Sequence, residues 1–548
     1  MRRNLLLTAS LGAIALTLTA QGAFAQDAEN ERSSQLDDVI VTAQKRSQSL
    51  QEVPISVTAL SAETLERARI IDLEGVATRT PNFVIGHDGP TTPELTIRGI
   101  GSTDREAGSD RSVVVFEDEV YIGRTGASTF DLFDLERVEI LRGPQGSLFG
   151  RNVVGGAVHL IRAKPDSDPM VRIQGTLGDR NLAELRGVVN GPIVDDLDGR
   201  LSFSTRRQDG YYYNRVIGRR SNDSEGTSVR GQLRWRPDDA TDVILALEAG
   251  TDSVDGLAST LTQGAVSDAD FAAALAPYGY TPSPDPFVSD NRQFGSLDRD
   301  NYAASLRVTR DFGAVSMTFL PAYRYTDYSE LRDVAGVGFS GSGTGVKGFE
   351  STEIVDETYR AFSAELRFSS NTDSALQWVA GLYTLDEAVD RDQIRERQAN
   401  RAISRPLFDQ YNDVRSYAAF ANGRWAVTDR LGVTVGARYT IDERNFGLDV
   451  TDTLTAAQRA AIIAEVGQAP SLSPAAEEFS TEQSKTFERF TPEISLDWQM
   501  TDDFLIFGKV GTGFKSGGFV GLGATQADAE RSFDPETVIN YEIGAKTQ

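Results

Sequence analysis

The feature that most constrains the fold is a two-residue alternation of apolar and polar side chains that begins near residue 170. It is clearest over residues 229–236, 362–368 and 493–500, where apolar residues or glycine occupy every second position and polar or charged residues occupy the others. A period of two places the two sets on opposite faces of a β-strand. One apolar face and one charged face predict a transmembrane antiparallel β-barrel, with lipid outside and water inside.

The connections between these segments differ in length in a regular way. Short, Asp-rich turns are expected at 195–199, 237–240, 310–313, 370–374, 428–429 and 500–502. Long polar connections alternate with them, at 208–225, 250–299, 329–356, 387–411, 442–483 and 514–535. This segregation is typical of an outer-membrane barrel of about 14 strands, each near the ~10 residues that a tilted membrane strand needs. A tandem array of soluble β domains, the alternative, has no reason to segregate its loops by length.

The first 25 residues are typical of a secretory signal peptide. Arg2 and Arg3 precede an apolar stretch over residues 5–18, and Ala23-Phe24-Ala25 supplies a small-x-small cleavage pattern. A transmembrane helix is the alternative, but the apolar stretch is short and contains hydroxyl residues. Export of an acidic chain without cysteine points to a Gram-negative cell envelope.

Composition excludes several classes of function. The 548 residues include no cysteine and two histidines, which removes disulfides, thiol nucleophiles and cysteine-ligated metals, and leaves little for histidine chemistry. The formal net charge of −25 argues against nucleic acid as a partner. We therefore predict no metal site and no cofactor.

Residues 26–165 follow a different pattern, that of a compact α+β domain. The segment 63–73 is helix-like, with Ser61 as a candidate N-cap. Short β-like runs are expected at 95–98, 113–117 and 138–141, each ending in turn residues.

Six segments, read in order, carry a resemblance to a known family. They are DVIVTA at Asp38–Ala43, TIRGIG at Thr96–Gly101, VFEDEVYIGR at Val115–Arg124, the run Phe130–Pro165, FKSGGF at Phe514–Phe519 and FDPETVINYEIGAK at Phe533–Lys546. Together they resemble a TonB-dependent outer-membrane receptor, in which an N-terminal plug sits inside a barrel. The resemblance implies a periplasmic tail at 26–49, a plug at 50–165 and a barrel at 170–548. The chain departs from the family pattern at Glu117-Asp118-Glu119, at residues 152–156 and at His159.

The resemblance also implies a TonB box at 37–43, formed by Asp38, Val39, Ile40, Val41, Thr42 and Ala43. This short β-prone run beside a polar tail is not expected to pack in a core. Exposed extended backbone at a terminus is suited to strand addition onto a partner's sheet edge, and here the partner is TonB. The alternative is an ordinary N-terminal strand of the plug.

Arginines of the plug are expected to pair with glutamates of the barrel, as the family resemblance suggests. Arg98 and Arg142 each precede a turn glycine, and Glu542 is the candidate partner. Such a group acts as a latch if it is buried, because removing one member leaves the other charge uncompensated. Separate water-exposed charges are the alternative, and these contribute little.

Candidate ligand contacts lie in the long connections. Five arginines occur within 387–411, and if this stretch is helical, some of them share one face that attracts an anionic chelate. Pairing with nearby acids or with lipopolysaccharide phosphates is the alternative. Tyrosines in two other loops either contact ligand or mark the interfacial belt. The candidates are Arg391, Arg395, Arg397, Arg401, Arg405, Tyr211 and Tyr278.

The barrel is expected to be incomplete. Plugged transporters have about 22 strands, and an open sheet edge is not tolerated in lipid. We therefore predict a C-terminal truncation that removes about eight strands, on the order of 200 residues. A genuine smaller barrel is the alternative.

The function implied is TonB-driven import of a scarce solute across the outer membrane rather than catalysis. A ferric siderophore is the default cargo, and vitamin B12, a glycan or an aromatic compound remain open. A passive porin-like channel and an exported hydrolase are alternatives of other classes. No acid–base or nucleophilic constellation stands out to support the hydrolase.

Overall fold

The computed structural model describes most of the chain from residue 40 onwards. The described residues are 40–42, 44–46, 48–87, 93–124, 126, 132–258, 283–291, 293–334, 350–372, 374–399, 402–453, 457, 460, 478–523 and 525–547, with backbone alone at 350–351, 397–399 and 402–404. The predicted signal peptide and residues 37–39 and 43 of the predicted TonB box lie outside them. In the described part of the chain, no helix is both long and apolar enough to cross a bilayer.

The N-terminal domain is built from short strands and three short helices. Its strands are β1 (Ile40–Val41), β2 (Gln48–Ser49), β3 (Val57–Ser61), β4 (Phe83–His87), β5 (Pro93–Ile97), β6 (Val113–Glu117), β7 (Val120–Ile122), β8 (Leu135–Arg142) and β9 (Gly156–Arg162). Its helices are α1 (Ala62–Arg67), α2 (Leu73–Ala77) and α3 (Gly146–Phe149). The central sheet has the order β3-β8-β9-β6-β7, with β6 and β9 parallel, and β4 pairs with β5.

The predicted helix over 63–73 is only partly present. Ser61 does cap α1, because its hydroxyl accepts a hydrogen bond from the Thr64 amide. The helix ends at Arg67, however, and a second N-cap, Asp72, starts α2. An aspartate whose side chain binds the amide three residues later favours a new helix start over continuation. The segment is therefore two helices.

The second half of the chain forms one large antiparallel sheet. Its strands and the short strands in its connections are β10 (Met170–Gly178), β11 (Leu182–Val194), β12 (Leu197–Gln208), β13 (Tyr212–Asn214), β14 (Arg219–Ser221), β15 (Asp223–Asp238), β16 (Thr241–Asp255), β17 (Val288–Ser289), β18 (Ser296–Asp311), β19 (Val315–Asp333), β20 (Glu350–Ser370), β21 (Leu376–Ala399), β22 (Ala402–Ser404), β23 (Pro406–Thr428), β24 (Leu431–Asp452), β25 (Phe479–Thr501), β26 (Phe504–Lys515), β27 (Gly518–Phe519), β28 (Ser532–Phe533) and β29 (Glu536–Thr547). A short helix, α4 (Gln526–Ala529), lies in the last connection.

Within the described residues the main path of this sheet contains 14 strands, in the order β10-β11-β12-β15-β16-β18-β19-β20-β21-β23-β24-β25-β26-β29. Each of these strands pairs with the next one along the path, and β22 also pairs with β21. Across the described residues, β10 and β29 each pair on one side. The fold prediction, a mainly β wall with an α+β plug, is confirmed.

The two faces of the wall differ as the alternation predicts. Trp235 and Ile494 are 50% and 51% exposed on the outer face. Their neighbours in the chain, Arg234 and Glu493, face inward and are more buried. Short turns connect the strands at one end of the wall, here called the lower end, and the long connections lie at the upper end.

Several strands are much longer than the predicted ~10 residues. β21 has 24 residues and β23 has 23, which at ~3.3 Å per residue far exceeds a bilayer core of about 30 Å, even for a tilted strand. Much of 387–411, predicted as a long connection, therefore belongs to two paired strands. The upper part of the wall projects beyond the membrane.

Candidate functional site

The turn between β6 and β7 carries three consecutive carboxylates, Glu117-Asp118-Glu119, here called the acidic turn. Asp118 and Glu119 have φ angles of 47° and 72°, the left-handed values that a two-residue hairpin turn of type I′ requires. The Asp118 amide donates to the Leu160 carbonyl at 2.9 Å, which ties the turn to β9. The turn thus presents its carboxylates toward the barrel wall.

Glu117 lies at the centre of a buried cluster of guanidiniums. Arg162 of the plug donates to it at 2.7 Å, and Arg324 and Arg230 of the wall donate at 2.6 and 3.3 Å. Burial alone raises the pKa of Glu117, but the three positive charges outweigh it and hold that pKa below its usual range. Glu117 is therefore ionised and fully engaged.

The other two residues of the acidic turn bind the wall as well. Asp118 accepts from Arg230 at 2.6 Å through its side chain and from Arg307 at 2.7 Å through its carbonyl. Glu119 accepts from Arg307 at 2.9 Å and from Arg367 at 3.1 Å. Counting Glu117, the turn is joined to arginines on β15, β18, β19 and β20. In the sequence the three acids stand out only as a departure from the family pattern, and their partners are not predicted.

The predicted latch is only partly assembled. Arg98 makes a two-pronged contact with Glu542, at 3.1 and 3.3 Å, with side chains that are 31% and 11% exposed. Arg142 donates to the Thr58 hydroxyl at 2.9 Å instead. The glycines that follow the two arginines have φ angles of 78° and 83°, as their predicted turn positions require.

Further ion pairs join the plug to the middle of the wall. Arg124 donates to Glu357 at 3.0 Å, and Arg151 donates to Glu387 at 2.9 Å. Asp110 pairs with Arg444 on β24. Despite the cost of burial, Arg444 and Arg151 lower the pKa of Asp110 to about 2.

The upper surface of the plug, residues 101–111, meets two of the predicted ligand-binding arginines. Arg391 and Arg395 lie within 3.8 and 3.7 Å of Glu106. Both also pair with glutamates of β20, at 2.7 Å for Arg391 and 3.2 Å for Arg395. The helix considered for this stretch is wrong, because residues 376–399 are β-strand. The two arginines share a face through the two-residue period of β21.

The remaining candidates are dispersed or lie outside the described residues. Arg405 pairs with Glu396 at 3.0 Å, and only the backbone of Arg397 is described, on β21. Tyr211 is 44% exposed and packs against Tyr212 and Phe287, with ring centroids 4.6 and 5.9 Å away. Arg401 and Tyr278 lie outside the described residues.

Arg111 was not predicted as a site residue, yet it differs from the other cations at the upper surface of the plug. Its guanidinium donates to the Ser102 carbonyl at 2.8 Å, and no carboxylate of the described residues forms an ion pair with it. Burial, with Arg124 and Arg105 nearby, lowers its pKa to about 10. A cation in this position is stabilised when an anion approaches it.

The described part of the predicted TonB box is folded rather than exposed. Ile40 and Val41 of β1 pair with Ser49 and Gln48 of β2, and Val41 has 0% exposure. The Thr42 amide donates to Glu139 at 2.8 Å. The expectation that this run does not pack in a core is therefore wrong for Val41, because a hairpin of two short strands buries its side chain in the plug core.

Lys45, just beyond the box, is bound to the wall. Its ammonium lies 2.5 Å from Glu365 on β20 and over the rings of Phe149 and Phe420, at 5.3 and 5.2 Å from their centroids. Pairing with a carboxylate and two aromatic faces compensates the burial of this charge.

These contacts define a class of protein: a plug domain held by ion pairs inside a membrane β-barrel wall. Family models agree with this description. The model "TonB-dependent Receptor Plug Domain" matches residues 49–157, and "TonB dependent receptor-like, beta-barrel" matches residues 251–548. The chain belongs to the TonB-dependent receptors, a family of transport receptors of the outer membrane.

Individual relatives are distant, and they cover between a third and nearly all of the chain. The pesticin receptor of Yersinia pestis is 23% identical over 547 residues, which cover 94% of this chain and 69% of that protein. The ferric yersiniabactin uptake receptor FyuA of Yersinia pestis has a similar structure, with a TM-score of 0.74, 20% identity and coverage of 90% of this chain and 70% of that one. The vitamin B12 transporter BtuB of Photobacterium profundum is 25% identical over 182 residues, or 32% of this chain and 28% of that protein.

Proposed function

We propose that this protein imports a ferric siderophore across the outer membrane, using energy delivered by TonB. The observation that favours this cargo is the share of the chain that each relative matches. The relatives that match nearly the whole chain are named for pesticin and ferric yersiniabactin, whereas the similarity to the vitamin B12 transporter covers about a third. Loops and the upper plug surface are the parts most directly concerned with cargo choice.

The chemistry of the upper plug surface supports an anionic chelate. Arg111 has no carboxylate partner among the described residues, and Arg105 and Arg124 lie beside it. A guanidinium donates several hydrogen bonds in a fixed plane and binds carboxylate or phenolate oxygens well. An uncharged cargo would leave this half-buried cation with its hydrogen bond to the Ser102 carbonyl and only the more distant charges of Glu94 and Asp104 to balance it.

We further propose that residues 37–43 serve as the TonB-binding segment by strand addition. Because Val41 is buried and paired within a hairpin, strand addition requires this hairpin to open first. We also propose that lipopolysaccharide of the outer membrane contacts the outer face of the wall.

Uptake of radioactive iron in iron-limited cells tests the proposal. Cells that produce the protein are supplied with 55Fe as the yersiniabactin chelate, as the ferrichrome chelate or as inorganic iron, and with labelled cyanocobalamin in parallel. We expect chelate-dependent iron uptake that is lost when residues 37–43 are deleted, while surface binding is retained. Uptake that survives the deletion contradicts TonB coupling and favours the passive channel, and uptake of cyanocobalamin alone contradicts the siderophore.

Arg111→Gln and Arg111→Lys separate the role of charge from that of packing. We expect Arg111→Gln to weaken binding of the chelate about tenfold, the scale of one lost charge-assisted hydrogen bond, and Arg111→Lys to lose less. Arg79→Gln, at an exposed arginine of the plug, serves as the matched control. Equal affinity in all three variants contradicts an anionic contact at Arg111.

A further inference from the structure

Asp442 is a buried carboxylate to which the contacts above assign no partner. It lies on the inward face of β24 with 0% exposure, and neither oxygen of its side chain accepts a hydrogen bond from the described residues. β24 pairs with β23 and β25 along most of its length, and helix α3 of the plug packs against it. Burial of a carboxylate without hydrogen bonds is costly, because nothing replaces the lost hydration. Asp442 is therefore a candidate for a role beyond packing.

Arg444 is the cation nearest to Asp442 along the wall, but it is bonded to the plug. The two residues are two positions apart on β24, so they share the inward face with their Cα atoms about 7 Å apart. Arg444 is equally buried, and its Nη2 donates to Asp110 of the plug. Its Nε and Nη1 donate to no acceptor among the described residues. The guanidinium therefore has donors left for a second carboxylate.

Two further guanidiniums surround Asp442 without bonding to it. Arg151 of the plug donates to Glu387 on β21 at 2.9 Å. Arg438, four residues before Asp442 on the same face of β24, donates to the Thr440 hydroxyl at 3.2 Å. Both are close enough for the charge of Asp442 to act on them, but neither forms an ion pair with it. Asp442 is thus available as a partner for a guanidinium of this region that loses its own.

Movement of the upper plug surface would take the partner of Arg444 away. Asp110 belongs to this surface, residues 101–111, and it is the carboxylate that pairs with Arg444 in the described part of the chain. Removing one member of a buried ion pair is strongly unfavourable, because the other charge stays buried and uncompensated. A rotation of the Arg444 side chain toward Asp442 would replace the lost pair with one inside β24. The same rotation would supply the oxygens of Asp442 with donors.

We propose that Arg444 exchanges partners, pairing with Asp110 while the upper plug surface is attached to β24 and with Asp442 once that surface has moved. Asp442 is then a positioning residue for transport, not a contact for cargo. It keeps the charges of the wall balanced in both arrangements and so lowers the free energy needed to displace residues 101–111. The proposal goes beyond the proposed function, because it concerns the motion of the plug and not the nature of the cargo.

A double-mutant cycle tests the exchange without any cargo. The urea midpoint of unfolding is measured for the detergent-solubilised protein with Asp110→Asn, with Asp442→Asn and with both. We expect Asp110→Asn to lower the midpoint roughly twice as far when Asp442 is also replaced, because Arg444 then has no carboxylate left. Asp442→Asn alone should leave the midpoint unchanged or raise it, since it removes a carboxylate that has no hydrogen bond.

Asp449→Asn is the matched control, at an exposed, outward-facing aspartate of the same strand. Its effect should add to that of Asp110→Asn without coupling. If Asp110→Asn lowers the midpoint equally with and without Asp442, Arg444 does not exchange partners and the proposal is overturned. A large loss of stability for Asp442→Asn alone overturns it as well, because Asp442 then supports the attached arrangement.

Uptake by whole cells shows whether the exchange serves transport. With 55Fe-yersiniabactin as the probe, we expect Asp442→Asn to keep surface binding within about twofold and to slow uptake at least about tenfold, because displacement of the plug then leaves Arg444 uncompensated. Asp449→Asn should keep both. Unchanged uptake in Asp442→Asn overturns the proposal. Failure of the unmodified protein to import this probe counts against the siderophore alone, and uptake is then compared with labelled cyanocobalamin, while the urea cycle stands independently of any cargo.

Discussion

The acidic turn and the Arg98–Glu542 pair both attach the plug to the wall, but they differ in burial and in the number of partners. Glu117 is buried and engages three arginines, whereas Arg98 is 31% exposed and engages one glutamate. An exposed pair gains little over hydration by water, but a buried carboxylate that loses its charge leaves several cations uncompensated. The difference indicates that the more deeply buried ion pairs hold the plug to the wall more strongly.

Among the substitutions that test this comparison, Glu117→Gln is expected to lower the stability of the protein most. The amide cannot compensate Arg162, Arg230 and Arg324, and breaking a buried ion pair in this way costs about 3–5 kcal/mol. Urea unfolding of the detergent-solubilised protein, followed by protease sensitivity of the plug, measures the loss. Glu63→Gln, at an exposed glutamate of α1, is the control. If the two variants have equal stability, the acidic turn is not the main attachment.

A change of pH is expected to have an intermediate effect on stability through His159, which lies on β9 behind the acidic turn. Its ring packs 5.0 and 4.6 Å from the ring centres of Phe116 and Phe149, and burial lowers its pKa to about 3. Between pH 6.5 and 3 the unfolded chain binds a proton that the folded plug does not, so stability falls as the pH falls. At pH 5 the loss is about 2 kcal/mol, since one pKa unit corresponds to ~1.4 kcal/mol.

His159→Phe keeps the aromatic packing and removes the titrating group. The free energy of unfolding of this variant should therefore decrease less between pH 7.5 and pH 5 than that of the natural protein. Carboxylates elsewhere contribute equally to both and cancel in the difference. Parallel pH curves for the two proteins would falsify this role of His159.

Arg98→Gln is expected to have the smallest effect, less than about 1 kcal/mol, because its pair with Glu542 is partly exposed. Arg142→Gln should change stability by a similar amount, since Arg142 gives up a single bond to Thr58. The same urea unfolding assay compares both with Glu117→Gln. A loss for Arg98→Gln as large as that for Glu117→Gln would show that the predicted latch is a main attachment after all.

The lower part of the wall was predictable from sequence, whereas the upper part was not. In the membrane the outer face must be apolar, so residues 229–236 alternate visibly. Above the membrane that face is exposed to water, and Asp386, Asp390 and Asp392 occupy the outward positions of β21. The apolar half of the alternation is lost there, and the strand looks like a polar loop.

The partners of the plug charges were beyond sequence reasoning for a different reason. Glu117 and Arg324 are 207 residues apart in the chain, and a two-residue period tells only that Arg324 faces inward. Which inward arginine meets which plug carboxylate depends on how the plug packs against the wall in three dimensions. The acids could be noticed, since three in a row at a tight turn are unusual, but their partners required the structure.

Lys45 adds a tie to the wall just beyond the contacts that residues 40–42 make with the plug. A force applied to residues 40–42 acts first on the plug, because Val41 is buried in its core and the Thr42 amide is bonded to Glu139. Three residues further along, the chain is held to Glu365 of the wall and to two aromatic rings. A pull on this segment is therefore shared between the plug and the wall.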